Sequence, residues 1–386
     1  MLASPGPVVP TLTDGVVTLR AHHEDDVQGC LEQSHDPVSQ AWTTVPVPYA
    51  LDDAKRFVRE VMPGGWATDQ EWGFALEAPD SDGRPRYAGT VSLRNEGEGR
   101  AEIAYGSHPW VRGTGHVERG LRLLLGWGFS PSSEGGRDVR TVIWWANDGN
   151  WPSRKVAWRL GFTFGGTVRR WLPQRGELLD AWVGSLTRDD PREPHTPWLD
   201  VPTIEGELVR LRRHRPDDLD RVHEGCTDPR TVHWLGRLPH PYSRVEAAYF
   251  LAHRSAGMAA GTDLHWMLAD PVTDVVLGTV SLMHIAEGMA EVGYWAHPDA
   301  RGRGVMTEAV RRACRHAFVD PEDGGLGLHR VHATVAVDNT ASRHVLEQAG
   351  FAHVGTERRS VLVRDGMHDG ATYELLALTT DSRAPR

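Results

Sequence analysis

The stretch Ala101-Glu102-Ile103-Ala104-Tyr105-Gly106-Ser107-His108-Pro109-Trp110-Val111-Arg112-Gly113-Thr114-Gly115 returns later as Ala290-Glu291-Val292-Gly293-Tyr294-Trp295-Ala296-His297-Pro298-Asp299-Ala300-Arg301-Gly302-Arg303-Gly304. Glu102 and Glu291 stand 189 residues apart, as do Arg112 and Arg301. The flanks keep the same frame: Gly89-Thr90-Val91-Ser92-Leu93 matches Gly278-Thr279-Val280-Ser281-Leu282, and Asn150-Trp151-Pro152-Ser153 matches Asn339-Thr340-Ala341-Ser342. Gly161-Phe162 and Gly350-Phe351 follow at the same spacing. A single glycine loop says little. Two copies in one frame, with the same flanks, point to a duplicated domain built around one kind of ligand site.

The proline- and charge-rich run Asp189-Asp190-Pro191-Arg192-Glu193-Pro194-His195-Thr196-Pro197 reads as a semi-rigid linker. Two domains are therefore expected at 1–187 and 203–386, joined by residues 188–202. Within each, an opening strand leads to an acidic helix start. Two strands then end at the Gly-Thr-Val-Ser-Leu run, followed by the Ala-Glu strand, the glycine loop and an amphipathic helix over 121–129 or 309–318. A strand over 141–145 or 330–335 leads to the Asn-x-x-Ser helix, and further strands close each half. Strands and helices mix without regular alternation, so the expected class is α+β.

Bulk properties exclude several classes. A length of 386 residues suits two domains of ordinary size. A net charge of −10 argues against a nucleic-acid-binding body. Three cysteines, Cys30, Cys226 and Cys314, cannot form a disulfide framework, which suits a reducing cytoplasm. The first ten residues lack a secretory pattern, and no run approaches the roughly 18 apolar residues of a membrane span. No nucleic-acid or membrane partner is expected. Of the 20 histidines, His329-x-x-His332 has no companion carboxylate or cysteine at ligand spacing, so no metal site is expected.

The loops Arg112-Gly113-Thr114-Gly115-His116 and Arg301-Gly302-Arg303-Gly304-Val305 each follow a strand and open a helix. Glycines let amides turn inward, and a helix N-terminus adds partial positive charge, so the place suits a phosphate or pyrophosphate. A dinucleotide fingerprint needs a third glycine where Glu118 and Thr307 stand, and a Walker loop needs Gly-Lys-Ser/Thr. Neither applies.

The Glu-x-x-Tyr strand, His-Pro step, Arg-Gly-x-Gly loop, Asn-x-x-Ser and Gly-Phe together resemble the Gcn5-related N-acetyltransferase (GNAT) superfamily, in its RimJ/RimL-like branch. The resemblance covers about 175 residues of each half and is specific to the superfamily, not to an acceptor. It implies tandem GNAT domains, each a mixed, mostly antiparallel sheet flanked by helices and splayed around an acyl-CoA cleft. It implies acetyl-CoA or another acyl-CoA as co-substrate. Loop residues Arg112, Gly113, Thr114, Gly115 and His116, and Arg301, Gly302, Arg303, Gly304 and Val305, would hold its pyrophosphate. Val117 and Met306 depart from the small residues usual in the family and would crowd the pantetheine arm.

The implied chemistry needs a neutral amine and a protonated leaving thiolate. An amine titrates well above neutrality and a thiol near 8.5, so a general base and a general acid each help. Glu102 and Glu291 are the candidate bases, against the alternative of carboxylates on a solvated strand face. Ser153 and Ser342 match a family serine that protonates the thiolate, and Asn150 and Asn339 would hold the acyl end. Asn and Ser at a helix start are equally the preferred caps. Tyr105 and Tyr294 are secondary candidates.

The expected function is an N-acyltransferase that moves an acyl group to a primary amine of a small molecule, peptide or protein N-terminus, by direct attack in a ternary complex. One alternative donor is an acyl carrier protein, for which Arg301, Arg303, Arg311, Arg312 and Arg315 would form a basic face. The non-enzymatic alternative is a duplicated acyl-CoA-binding module. A monomeric pseudo-dimer or a homodimer both fit a duplicated chain. Eleven of the 15 tryptophans fall in the first half, and the second half keeps the more usual wording, which leans the catalytic role toward the second. Acceptor choice would lie in segments 42–49 and 234–242 and in the closing hairpins 169–180 and 358–369.

Overall fold

Runs such as Thr90-Val91-Ser92-Leu93 place Val91 and Leu93 on one face of a strand and Thr90 and Ser92 on the other, the period a pleated strand imposes. Val91 and Leu93 are fully buried beneath a helix. The structure is a computed structural model that describes residues 8–378. The chain divides between His195 and Thr196 into two units.

In the first unit, strands lie in the order Leu12–Thr13, Thr18–Arg20, Glu71–Pro79, Pro85–Gly97, Arg100–Ser107, Thr141–Asn147, Glu177–Thr187, Thr163–Gln174. The second unit repeats the plan as Arg210–Arg212, Leu264–Ala269, Val276–Ala286, Met289–Ala296, Arg330–Ala336, Gly366–Leu376, Ala352–Val363. One neighbouring pair in each sheet is parallel, and the other named pairs are antiparallel. Each unit is a mixed sheet with flanking helices, an α+β fold.

The parallel pair carries the architecture of the site. Arg100–Ser107 pairs with Thr141–Asn147 only from Arg100 with Thr141 to Ile103 with Trp144. Met289–Ala296 pairs with Arg330–Ala336 only from Met289 with Arg330 to Glu291 with His332. Beyond those points the strands part, leaving backbone donors and acceptors on facing edges that must find another partner.

The helices His116–Phe129 and Val305–Phe318 start directly at the loop glycines, earlier than the amphipathic pattern alone marks. Gly115 (φ 83°) and Gly304 (φ 77°) cap them in the left-handed region, which glycine enters without steric cost. Each helix buries one stripe on its sheet: Leu121, Leu124 and Leu125 in one unit, Ala309, Val310 and Ala313 in the other. Burying each leucine contributes about 1.5–3 kcal/mol. A methyl group at Gly120 would come within 2.7 Å of Leu76, and the second unit fits Ala309 there.

Residues around the expected linker are tied locally. Arg192 Nη1 donates to the Thr187 carbonyl (3.0 Å), while the Leu199 amide donates to Met258 (2.9 Å). Cys30, Cys226 and Cys314 are buried free thiols. Among the described residues, no helix is long and apolar enough to cross a membrane.

Candidate active site between the parting strands

In the second unit a cavity of about 560 Å³ opens where Met289–Ala296 and Arg330–Ala336 separate. Val292, Tyr294 and Ala296 form one wall and Ala333 to Ala336 the other. Arg301, Gly302 and Gly304 reach it at the loop, and Asn339 and Ser342 at the following helix. A second cavity of about 510 Å³ shares Gly304, Thr307 and His344 with the first and extends to Arg311 and Gln348. The groove therefore runs from Ser342 across the glycine loop.

The loop is shaped for backbone donation. Gly302 has φ 71° and Gly304 φ 77°; Gly113 and Gly115 have φ 78° and 83°. The helix's first backbone bond is from Glu308 to the Gly304 carbonyl, so the amides before Glu308 have no helical carbonyl behind them. The helix dipole adds partial positive charge at the same place.

Ser342 and Tyr294 form a close pair, Oγ to Oη 2.9 Å. Ser153 and Tyr105 repeat it at 2.8 Å. Burial pushes the Tyr105 hydroxyl up to about 12, against the pull of the Ser153 hydrogen bond, and burial raises Tyr294 likewise. Both phenols keep their protons at neutral pH. Asn339 Oδ1 accepts the Ser342 amide (3.1 Å) and Asn150 Oδ1 the Ser153 amide (3.2 Å), so both asparagines are helix caps. Asn339 also lines the cavity.

The glutamates stand on the other face of the sheet, because they alternate with Ile103 and Val292, which lie in the helix-covered cores. Glu291 occupies the last paired position before the split and meets His284 Nδ1 at 3.2 Å. Glu102 is bound by Arg94 Nη1 at 2.9 Å, yet burial still raises its carboxyl above the ordinary value. Neither is brought against a serine, and Glu291 does not line the cavity.

The loop arginines are engaged elsewhere than expected. Arg112 Nη2 donates to Asp36 Oδ2 (2.6 Å) and Ser39 Oγ (3.0 Å), and Arg301 Nη2 donates to Asp228 and to Thr231 Oγ1 (2.9 Å). Asp36 and Asp228 also cap the short helices Pro37–Trp42 and Pro229–Trp234. Burial pushes the Asp228 carboxyl up, but Arg301 and the Thr231 amide outweigh it and hold it below the usual range. These arginines tie a capping helix to the loop. The signal was present as a repeated Asp-Pro step, at Asp36-Pro37 and Asp228-Pro229, far from the loop in sequence.

The GNAT acetyltransferase domain family matches residues 17–163 and again 209–352, more than half of the chain and once in each unit. The chain belongs to the GNAT acetyltransferase family. Probable N-acetyltransferase YjcK of Bacillus subtilis (strain 168) is 34% identical over 119 residues, 30% of this chain and 61% of that protein. Putative ribosomal N-acetyltransferase YdaF of the same organism is 36% identical over 176 residues, 44% of this chain and 92% of that protein. Among solved structures, Mycobacterium smegmatis RimJ in complex with CoA-disulfide is 21% identical with a TM-score of 0.42, covering 48% of this chain and 91% of that one.

Family membership makes the chain an acyltransferase, and its resemblance to the RimJ/RimL-like branch accords with the relative YdaF. The GNAT cleft here also uses residues outside the quoted stretches. Trp234 and Leu235, with Val361 and Val363 from the closing hairpin, line the cavity, and Arg364 Nη2 ties that hairpin to the Leu238 carbonyl (2.7 Å). Met306 lines the cavity too, where the family usually has a small residue. Among the described residues, no group of three or more His, Cys, Asp or Glu side chains could hold a metal.

Proposed function

We propose that this GNAT protein transfers an acyl group from acyl-CoA to a primary amine of a small molecule, peptide or protein N-terminus, by direct attack in a ternary complex. The observation that carries the reading is the second unit's cavity, which joins a glycine loop to a Ser–Tyr pair between two unpaired strand edges. A donor with a pyrophosphate, an amide-bearing arm and a terminal thioester matches those three features in order. The loop 301–305 would hold the pyrophosphate, and the free edge over 292–296 would take the arm's amides; loop 112–116 is the corresponding segment of the first unit. Bound there, acyl-CoA supplies the activated carbonyl.

The chain's own residues divide the proton work. Ser342 Oγ, held by Tyr294, would give a proton to the departing sulfur, while Asn339 keeps the helix start in place. Glu291, on the opposite face at the split, would take the amine proton through water. A backbone amide near Ala296 would polarise the carbonyl. Carboxylate partners for Arg301 and Arg312 neutralise part of the basic face an acyl carrier protein would need, which favours free acyl-CoA. The name carried by YdaF, a putative ribosomal N-acetyltransferase, favours a ribosomal amine among the acceptors.

Mixing the chain with acetyl-CoA and a panel of polyamines, amino sugars and N-terminal peptides, and following free thiol, tests the proposal. Thiol released in proportion to acylated amine is expected. Donor binding without thiol release for any amine would leave a binding module instead.

A further inference from the structure

We infer that the second unit alone holds the donor and that Trp144 and Glu118 close the first cleft to it. The inference rests on the acyl-CoA reading of the site. Three differences between the units carry it.

Trp144 occupies the position of Ala333. Ala333 is a wall of the second unit's cavity, whereas Trp144 is 2% exposed and its Nε1 donates to Ser153 Oγ (3.1 Å). The indole fills from this strand the space that Tyr373 fills from the neighbouring strand in the second unit, and it is fixed to the serine that should face the donor. The cleft is also shallower there. The first unit's strands remain paired through Ile103 and Trp144, one step further than in the second, where pairing stops at Glu291 and His332.

The loop differs in the same sense. Glu118 stands where Thr307 lines the second unit's groove. Its carboxylate spans Arg122 (2.8 Å) and Arg159 (3.7 Å), across the first turn of the helix that would receive the pyrophosphate. Arg159 and Arg122 match Gln348 and Arg311, which line the open groove. The second helix also carries a first-turn carboxylate, Glu308, but it is held by Arg312 and by the Glu207 and Leu208 amides, whereas the ion pairs of Glu118 reach Arg159 across the first unit's groove. Thr114 adds to this, because its Oγ1 already accepts the His116 amide (3.3 Å).

Native mass spectrometry of the full chain with acetyl-CoA decides the matter. One bound copy is expected. Two copies overturn the inference but not the acyl-CoA reading; no copy overturns both. Hydrogen exchange locates the copy: slower exchange is expected in Val305–Phe318 with His116–Phe129 unchanged, and protection of His116–Phe129 overturns the inference. Ala341 and Pro152 hold matching, exposed positions, so tryptophan at either is borne at the surface. Ala341→Trp should abolish the bound copy and Pro152→Trp should retain it. The reverse pattern overturns the assignment.

Discussion

At one matched place in the two sheets, Trp144 faces Gly184 across a strand pair, while Ala333 faces Tyr373. The bulk is comparable, but the aromatic ring comes from opposite strands. That exchange changes what the ring's polar atom touches. Trp144 reaches Ser153; Tyr373 instead accepts from Arg343 Nε (3.0 Å) and donates to Glu347 (2.9 Å), leaving Ser342 with Tyr294. A duplicated domain can keep its core filled and yet alter its cleft.

The sharpest way to break this comparison is at the serines. Ser342→Ala should lower turnover by about 10²–10⁴-fold, the usual scale of general-acid catalysis, with donor affinity little changed. Ser153→Ala should leave turnover as it is. Equal losses at both serines, measured as kcat with acetyl-CoA, would make the two clefts equivalent after all.

Stability probes the exchange itself. Trp144→Ala and Tyr373→Ala each empty a fully buried aromatic site, and each should cost about 3–5 kcal/mol in denaturant unfolding. Gly184→Tyr alone should also destabilise, because a side chain there meets the Trp144 ring at 3.3 Å. Combined with Trp144→Ala it should recover part of the loss, since the pair then copies Ala333 and Tyr373. Strict additivity would show that the two positions do not share one space.

Much of the fold was readable before any coordinates, because the repeat supplied its own control. Each motif could be checked against its partner 189 residues away, and strand, loop and helix came in the right order. Helix starts were less legible: periodicity marks only the turns that meet the sheet, so 121–129 missed the first turn at His116. Ser342 and Asn339 stand out through the family resemblance and Gly302 and Gly304 as a repeated loop, and these four line the second unit's cavity. The arginine partners do not stand out, since Asp36 and Asp228 lie more than 70 residues from Arg112 and Arg301 and only folding brings them together. The Trp144 and Ala333 difference was visible as composition, but its meaning depends on Gly184 and Tyr373 across the sheet.

In acid the comparison should fade. Burial holds the His22 imidazole down to about 4 in one unit and His265 down to about 3 in the other. Both stay neutral in the fold, whereas the unfolded chain takes a proton near 6.5. Stability is therefore lost as pH falls below about 6.5, by roughly 2 kcal/mol per histidine at pH 5. Thermal unfolding at pH 7 and pH 5 checks this, and His265→Gln should flatten the second unit's share. A pH-independent midpoint would mean these rings are protonated in the fold.

The smallest effect separates two roles held by one residue. Asn150→Ala and Asn339→Ala each remove a side-chain acceptor from a helix start, which should cost about 1 kcal/mol in either unit. As caps the two are interchangeable, so the stability losses should match. Asn339 also lines the second unit's cavity beside Ser342. If it helps to hold the acyl end, Asn339→Ala should slow turnover beyond what lost stability explains, and Asp at 339, which caps equally well, should restore the stability but not the rate. A rate restored together with stability would make Asn339 a cap and nothing more. Asn150→Ala should show the cap loss with no change in turnover, which makes it the internal standard for its counterpart.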